Sequence, residues 1–416
     1  MTDVEVRPIR DDELADYVRC VATAFFFEAN LDDDAIAFWR ERMENDLSRR
    51  HGAFVDGVLA GTIGAFATEL TVPGGGAVDL AAVTAVTVLP THRRRGLLRR
   101  MMETQQADAL ERGEVAAMLI AAEWPIYERY GYGMAAEAAS TVLDASAALF
   151  RDGIGSPSGG TIALVAIDEL RVLAPRVFDA HRLSVAGAIT RSDFTWDLLL
   201  GLRNRPGDDA PKGTVAVVHR DAEGTVDGYA VYRAREQWIE NRPSVTLDVD
   251  ELLSTSDAAY RDLWAYLASI DWVREVRAGV RPVDEQLRFL LHDGRAAVQR
   301  ERSDHMWVRI FDVERALAAR RYEAPVDIVV EVRDPQLGSN RRWRLEGGPD
   351  GASATRSTRD VDIALSVDAL GGAYLGGTPL WWFASAGKVD ERTPGALARL
   401  GTAMRTAHAP WATTNF

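Results

Sequence analysis

Apolar residues along the first 140 positions recur with two different periods, and each change of period marks an element. From Asp12 to Ala24, and again from Leu31 to Arg49, they return every three or four residues, in the second stretch as Ile36, Phe38, Trp39 and Met43, so both stretches are predicted helices. Gly52 to Val55, the Asp56-Gly57 dipeptide and Val58 to Thr68 predict a hairpin with a tight turn. Ala81 to Val88 is rich in β-branched residues and reads as a strand ended by Pro90; Gly96 to Arg112 then predicts a helix closed by Gly113. Val115 to Ala122 is a continuous apolar run of the kind a buried parallel strand shows. Strand, crossover helix and strand make a βαβ unit.

A weaker copy of this layout follows. Val217 to Arg233 reads as strand, turn and strand, Val245 to Ser254 as another strand, and Asp257 to Ile270 as a helix. Ser254, Thr255, Ser256 and Asp257 stand at the second strand-to-helix turn, with Asp257 as the expected helix cap. Beyond Met306 the pattern changes again: a strand runs into a helix, Val326 to Asp334 and Asn340 to Gly348 form a hairpin around Pro335 and Gly338, and Pro394 to Thr406 is a last helix. Linkers are expected at Gly153 to Gly160 and at Asp293 to Asp304.

With 416 residues, two or three domains are expected. No apolar stretch is long enough to span a bilayer, and the N-terminus has no apolar signal region, so a cytoplasmic protein is expected. Cys20 is the single cysteine and the seven histidines are scattered, which predicts neither disulfide nor structural metal. The net charge of −14 argues against nucleic acid and anionic lipid as partners. Only Lys212 and Lys388 are lysines, so arginine abundance by itself says little and its placement matters.

One placement stands out. Val88 to Met102 sets five arginines around Gly96 at the turn into the predicted helix. Cations at a helix N-terminus are unfavourable by about 0.3–1 kcal/mol each unless an anion compensates. Open N–H groups in the first turn bind phosphate, and a glycine lets a ligand approach the backbone. The single-phosphate and dinucleotide glycine patterns are both missing, which leaves a diphosphate flanked by arginines, or simply an exposed basic cap.

Arg93-x-x-Gly96-x-Leu98 resembles the Q/R-x-x-G-x-G/A signature of the GCN5-related N-acetyltransferases (GNAT), with Leu98 where a small residue is usual. Together with Ile126 to Gly133 (IYERYGYG) and a terminal Phe, Val88 to Met102 is similar to the Eis (enhanced intracellular survival) acetyltransferases. The resemblance implies an α/β (α+β) chain of tandem GNAT-like domains, at 1–150 and a degenerate one at 151–297, followed by a sterol-carrier-protein-like domain at 298–416. It further implies acetyl-CoA as co-substrate, no metal, and a homo-oligomer, a hexamer. Val86, Thr87 and Val88 would pair with the pantetheine arm, Arg94, Arg95, Gly96, Leu97, Leu98 and Arg99 would hold the pyrophosphate, and Ala122 and Glu123 would flank the arm on the next strand. Tyr127 takes the place of the family's general acid, and the carboxylate of Phe416 that of its base.

Between the first two helices, Phe25 to Asp34 (FFFEANLDDD) sets aromatics beside acids, a composition suited to a cationic amine. Phe27, Glu28 and Trp39 are the candidate acceptor contacts, although Asp32, Asp33 and Asp34 are also ordinary helix-start residues. The family's acceptors are aminoglycosides, polyamines and peptide lysines. A rival reading makes the chain a non-catalytic scaffold whose third domain takes an apolar ligand between Trp381, Trp382 and Phe383.

Overall fold

The computed structural model describes residues 3–416 apart from 45, 152–158, 209–212 and 337. Most of the linker expected at Gly153 to Gly160 therefore lies outside the described residues. Among the described residues, twelve strands form one sheet: β1 (Val4–Pro8), β2 (Arg50–Val55), β3 (Val58–Thr71), β4 (Ala77–Val88), β5 (Ala116–Ile120), β6 (Gly133–Asp144), β7 (Thr161–Val165), β8 (Thr214–Arg220), β9 (Val226–Ile239), β10 (Arg242–Ser254), β11 (Val273–Arg281) and β12 (Ala297–Ile310). Their spatial order is β1-β2-β3-β4-β5-β12-β6-β11-β10-β9-β8-β7.

The predicted βαβ unit is present. α1 (Leu14–Phe25) and α2 (Asp33–Arg42) precede β2, and α3 (Leu97–Glu111) crosses from β4 to β5, which run parallel. α3 buries Leu97, Met101, Met102, Gln105 and Ala109, the helical spacing that lays one face on the sheet. Ala116 to Leu119 of β5 are buried on both faces, as a central parallel strand requires. The second copy is built alike: α5 (Ile167–Arg182) precedes its β8–β9 hairpin, and β10 and β11 are parallel across α7 (Asp257–Ser269). There the cap is Ser256, whose hydroxyl takes the Ala259 N–H at 3.1 Å, and the expected cap Asp257 is the first helical residue.

The two copies exchange neighbours at their junction. β12 lies between β5 and β6, while β6 pairs on its other side with β11. Asp293 to Asp304, expected as a linker, is instead a short 3-10 turn, with the Arg295 N–H on Asp293 at 2.9 Å, followed by the first half of β12. Irregular pairing with β6 and an exposed face keep that half polar, so no apolar alternation betrays it. Residues 298–310 thus belong to the large sheet, and the buried Trp307 completes the core beneath α3.

The third unit has its own sheet of β13 (Val326–Asp334), β14 (Ser339–Gly348), β15 (Gly351–Arg356), β16 (Ile363–Ser366) and β17 (Val389–Glu391), ordered β15-β14-β13-β16-β17. Its interior is continuous with that of the first unit: Leu70, Leu80, Met118 and Ala136 pack in one cluster with Ile328, Leu345, Leu370 and Tyr374. Trp381 and Trp382 are 44% and 52% exposed, and Phe383 packs against this cluster, so the three do not enclose a ligand. No helix among the described residues is long and apolar enough to cross a membrane.

Candidate active site

β4 and β5 pair only from Leu80 to Ala82 against Ala116 to Met118. β4 continues to Val88 and β5 to Ile120 without further pairing, so the strands part and backbone groups along the gap are left for another extended chain. On its other edge β4 stays bonded to β3, with a bulge between Thr62 and Gly64, and Ala85 there has φ +52°. The bulge turns successive side chains to different faces. Val86 and Val88 pack with Tyr127 and Leu97, Thr84 and Ala85 face a cavity, and Thr87 is buried. The Thr87 hydroxyl lies 2.6 Å from that of Thr62 and 3.8 Å from Cys20 Sγ. Cys20 is buried, which pushes its thiol upward in pKa and makes it a poor nucleophile.

The gap leads to the start of α3. Arg94 and Gly96 both have positive φ, +63° and +78°, and no side chain caps the helix, in contrast with Ser256 on α7. The N–H groups of Leu97, Leu98 and Arg99 precede the first intrahelical bond and open outward between the exposed Arg94, Arg95 and Arg99. Gly96 is required by its φ, since a Cβ there would meet nothing within 4 Å. Ala122 and Glu123 lie beyond the end of β5 rather than on it, and Glu123 is the residue before α4 (Trp124–Tyr127). Tyr127 ends α4; burial, then Glu123, pushes its phenol up to about 12. Tyr130 and Tyr132 are buried packing residues.

Across β4 from Tyr127 lies a cavity of about 840 Å³. Phe27 and Trp39 line it, their rings stacked at 6.3 Å, but Glu28 does not and is exposed. Asp32 is occupied as the cap of α2, accepting the Ala35 N–H at 2.8 Å. Phe416 lines the cavity too, its ring edge-on to Phe66 at 5.4 Å. Phe416 and Tyr127 therefore stand on opposite sides of β4, one at the cavity and one at the gap.

Much of the remaining wall comes from residues without sequence signal: Phe66 of β3, Thr190 to Ser192, α6 (Asp193–Leu199) and the tail from Thr413. Arg191 fastens that tail. Its guanidinium donates to Glu251 at 2.6 and 2.9 Å and to Thr414 Oγ1 at 2.8 Å, and also to Thr413. Tyr229 donates to Glu251 at 2.6 Å. Burial pushes the Glu251 carboxyl up, but Arg191 outweighs it and the net direction is down. The Trp411 backbone N–H donates to Ala186 O at 2.8 Å, and its ring lies edge-on to His181 at 5.7 Å.

Residues 5–135 match the acetyltransferase (GNAT) domain, residues 187–310 match a second model described in the same words, and residues 313–413 match the sterol carrier protein domain. An uncharacterised N-acetyltransferase of Streptomyces griseus is 39% identical, with 98% of each chain covered. The N-acetyltransferase Eis of Mycobacterium tuberculosis is 30% identical over 97% of each chain. The crystal structure of Eis1 from Mycobacterium abscessus superposes with a TM-score of 0.84 at 32% identity over the whole of both chains.

Proposed function

Because this chain belongs to the Eis family of GNAT N-acetyltransferases, with tandem GNAT domains and a sterol-carrier-like domain, we propose that it moves the acetyl group of acetyl-CoA onto a primary amine held in the 840 Å³ cavity. The parting of β4 from β5 beside the uncapped start of α3 carries this reading. Val86 and Val88, whose backbone groups point away from β3 into the gap, suit the amides of a pantetheine arm, whereas those of Thr87 face Thr62 on β3. Leu97, Leu98 and Arg99 N–H groups, with Arg94 and Arg95, suit a diphosphate. The thioester supplies an activated acetyl and a thiol leaving group.

The amine enters as its ammonium ion. The Phe416 carboxylate accepts one proton and passes it to solvent, the freed lone pair forms the N–C bond as the C–S bond breaks, the carboxylate takes the second nitrogen proton so that a neutral amide leaves, and Tyr127 gives its phenolic proton to the sulfur. Solvent then reprotonates Tyr127. A phenol near 12 remains protonated at neutral pH and is always ready to donate. The family's hexameric assembly, and a cytoplasmic location, extend the same reading to this chain. Calorimetry of acetyl-CoA, followed by thiol release across a panel of amines with untagged protein, tests it. Binding of acetyl-CoA and release that depends on an amine are expected; lack of acetyl-CoA binding refutes it.

A further inference from the structure

The charges on the cavity wall do not match a polycation. Arg42, Arg50, Arg191 and Arg205 line it, against Glu44 and the carboxylate of Phe416. Arg191 is neutralised by Glu251. Among the described residues, no salt bridge joins a carboxylate to Arg42, Arg50 or Arg205, and Glu44 and Asp46 act on Arg50 only from beyond ion-pair distance. Arg50 is the telling member, because it is 3% exposed and its guanidinium reaches only the Arg49 carbonyl, at a long 3.5 Å. A buried guanidinium without a carboxylate is costly and is expected where an anion is taken up. Beside it, the Tyr17 hydroxyl is buried, lines the same cavity and has no hydrogen-bond partner among the described residues. Burial, together with the nearby Arg205 and Arg50, pushes the Arg42 guanidinium downward in pKa, as expected of cations crowded without counter-charge.

We infer that the acceptor carries an oxyanion as well as an amine: the oxyanion seats on Arg42, Arg50 and Arg205 with the Tyr17 hydroxyl, while the amine points to Phe416. The inference rests on the acetyl-transfer reading above and narrows its acceptor class to amino carboxylates or amino phosphates. Phe27, Trp39, Phe66 and Phe194 wall the space between the two ends, which suits an apolar or aromatic linker. A polyamine or aminoglycoside would set further ammonium groups against three unpaired guanidinium groups, which is repulsive in a partly buried site.

The test compares kcat/KM, by thiol release at saturating acetyl-CoA, for ω-amino carboxylates, ω-amino phosphonates, ω-amino amides and α,ω-diamines of graded and matched length. The amino oxyanions are expected to exceed the equal-length diamines by about tenfold or more. The better of carboxylate and phosphonate names the anion. Arg42→Glu and Arg205→Glu, at less buried positions than Arg50, are expected to invert the preference while leaving calorimetric acetyl-CoA affinity unchanged. Diamines preferred by the unaltered protein overturn the inference and leave acetyl transfer standing. Acetyl-CoA binding without turnover of any amine overturns both the acceptor role of the cavity and this narrowing of it.

Discussion

Deleting Phe416 isolates the proposed base, because the tail is held upstream of it. Trp411 is fixed by Ala186 and His181, and Thr414 by Arg191 at 2.8 Å, none of which the deletion touches. The carboxylate retreats by one residue, about 3.5 Å along an extended chain, to Asn415, which is exposed. A base must come within about 2.6–3.2 Å of the proton it takes, so the shift exceeds its reach. The contribution lost is about 10²–10⁴ in rate, or about 2.7–5.4 kcal/mol of barrier. Loss of the edge-on contact with Phe66 adds about 0.5–1.5 kcal/mol, and Phe416→Leu, which keeps the carboxylate, measures that part alone. Initial-rate thiol release gives kcat, and calorimetry gives the Kd of acetyl-CoA. The deletion is expected to lower kcat by about a hundredfold or more, Phe416→Leu by less than about tenfold, with Kd unchanged in both. A deletion protein that turns over within about threefold of the intact one refutes the role of this carboxylate.

Tyr127→Phe removes the proposed acid and is expected to lower kcat by about 10²–10⁴ with acetyl-CoA affinity intact; equal loss of binding would make the residue structural. With its pKa raised above the free-phenol value of about 10, Tyr127 favours the folded state fully below pH 10 and less as pH climbs towards 12, so its ionisation should leave no break in kcat below pH 10. A break near 10 that vanishes in Tyr127→Phe would contradict the burial argument. Arg191→Met strands the buried Glu251 and is expected to cost about 3–5 kcal/mol in urea unfolding, much of it restored by adding Glu251→Gln. Gly96→Ala meets no steric obstacle, so any destabilisation beyond the roughly 1–2 kcal/mol of a left-handed alanine would show that the turn is packed rather than open. Its acetyl-CoA Kd should rise, as the added Cβ stands where the diphosphate would approach.

Local pattern by itself was enough for the βαβ unit, its Arg-Gly turn and the weaker second copy, because periodicity, Pro90 and Gly113 act within a few residues of where they stand. Tyr127 and Phe416 were singled out by family resemblance and not by local pattern, and their roles stand as proposals. Folding decided the rest. Nothing in QRERSD marks Gln299 to Asp304 as strand, since an exposed, irregularly paired segment carries no apolar alternation. The acidic run from Glu28 to Asp34 looked like a cation site, yet its Asp32 side chain caps α2 and Glu28 faces solvent. The cavity's own charge comes instead from Arg42, Arg50 and Arg205, one of them more than 150 residues from the others in sequence. Charge in a pocket is set by which side chains converge there and which are already neutralised, as Glu251 neutralises Arg191, and that is a property of the packed chain alone.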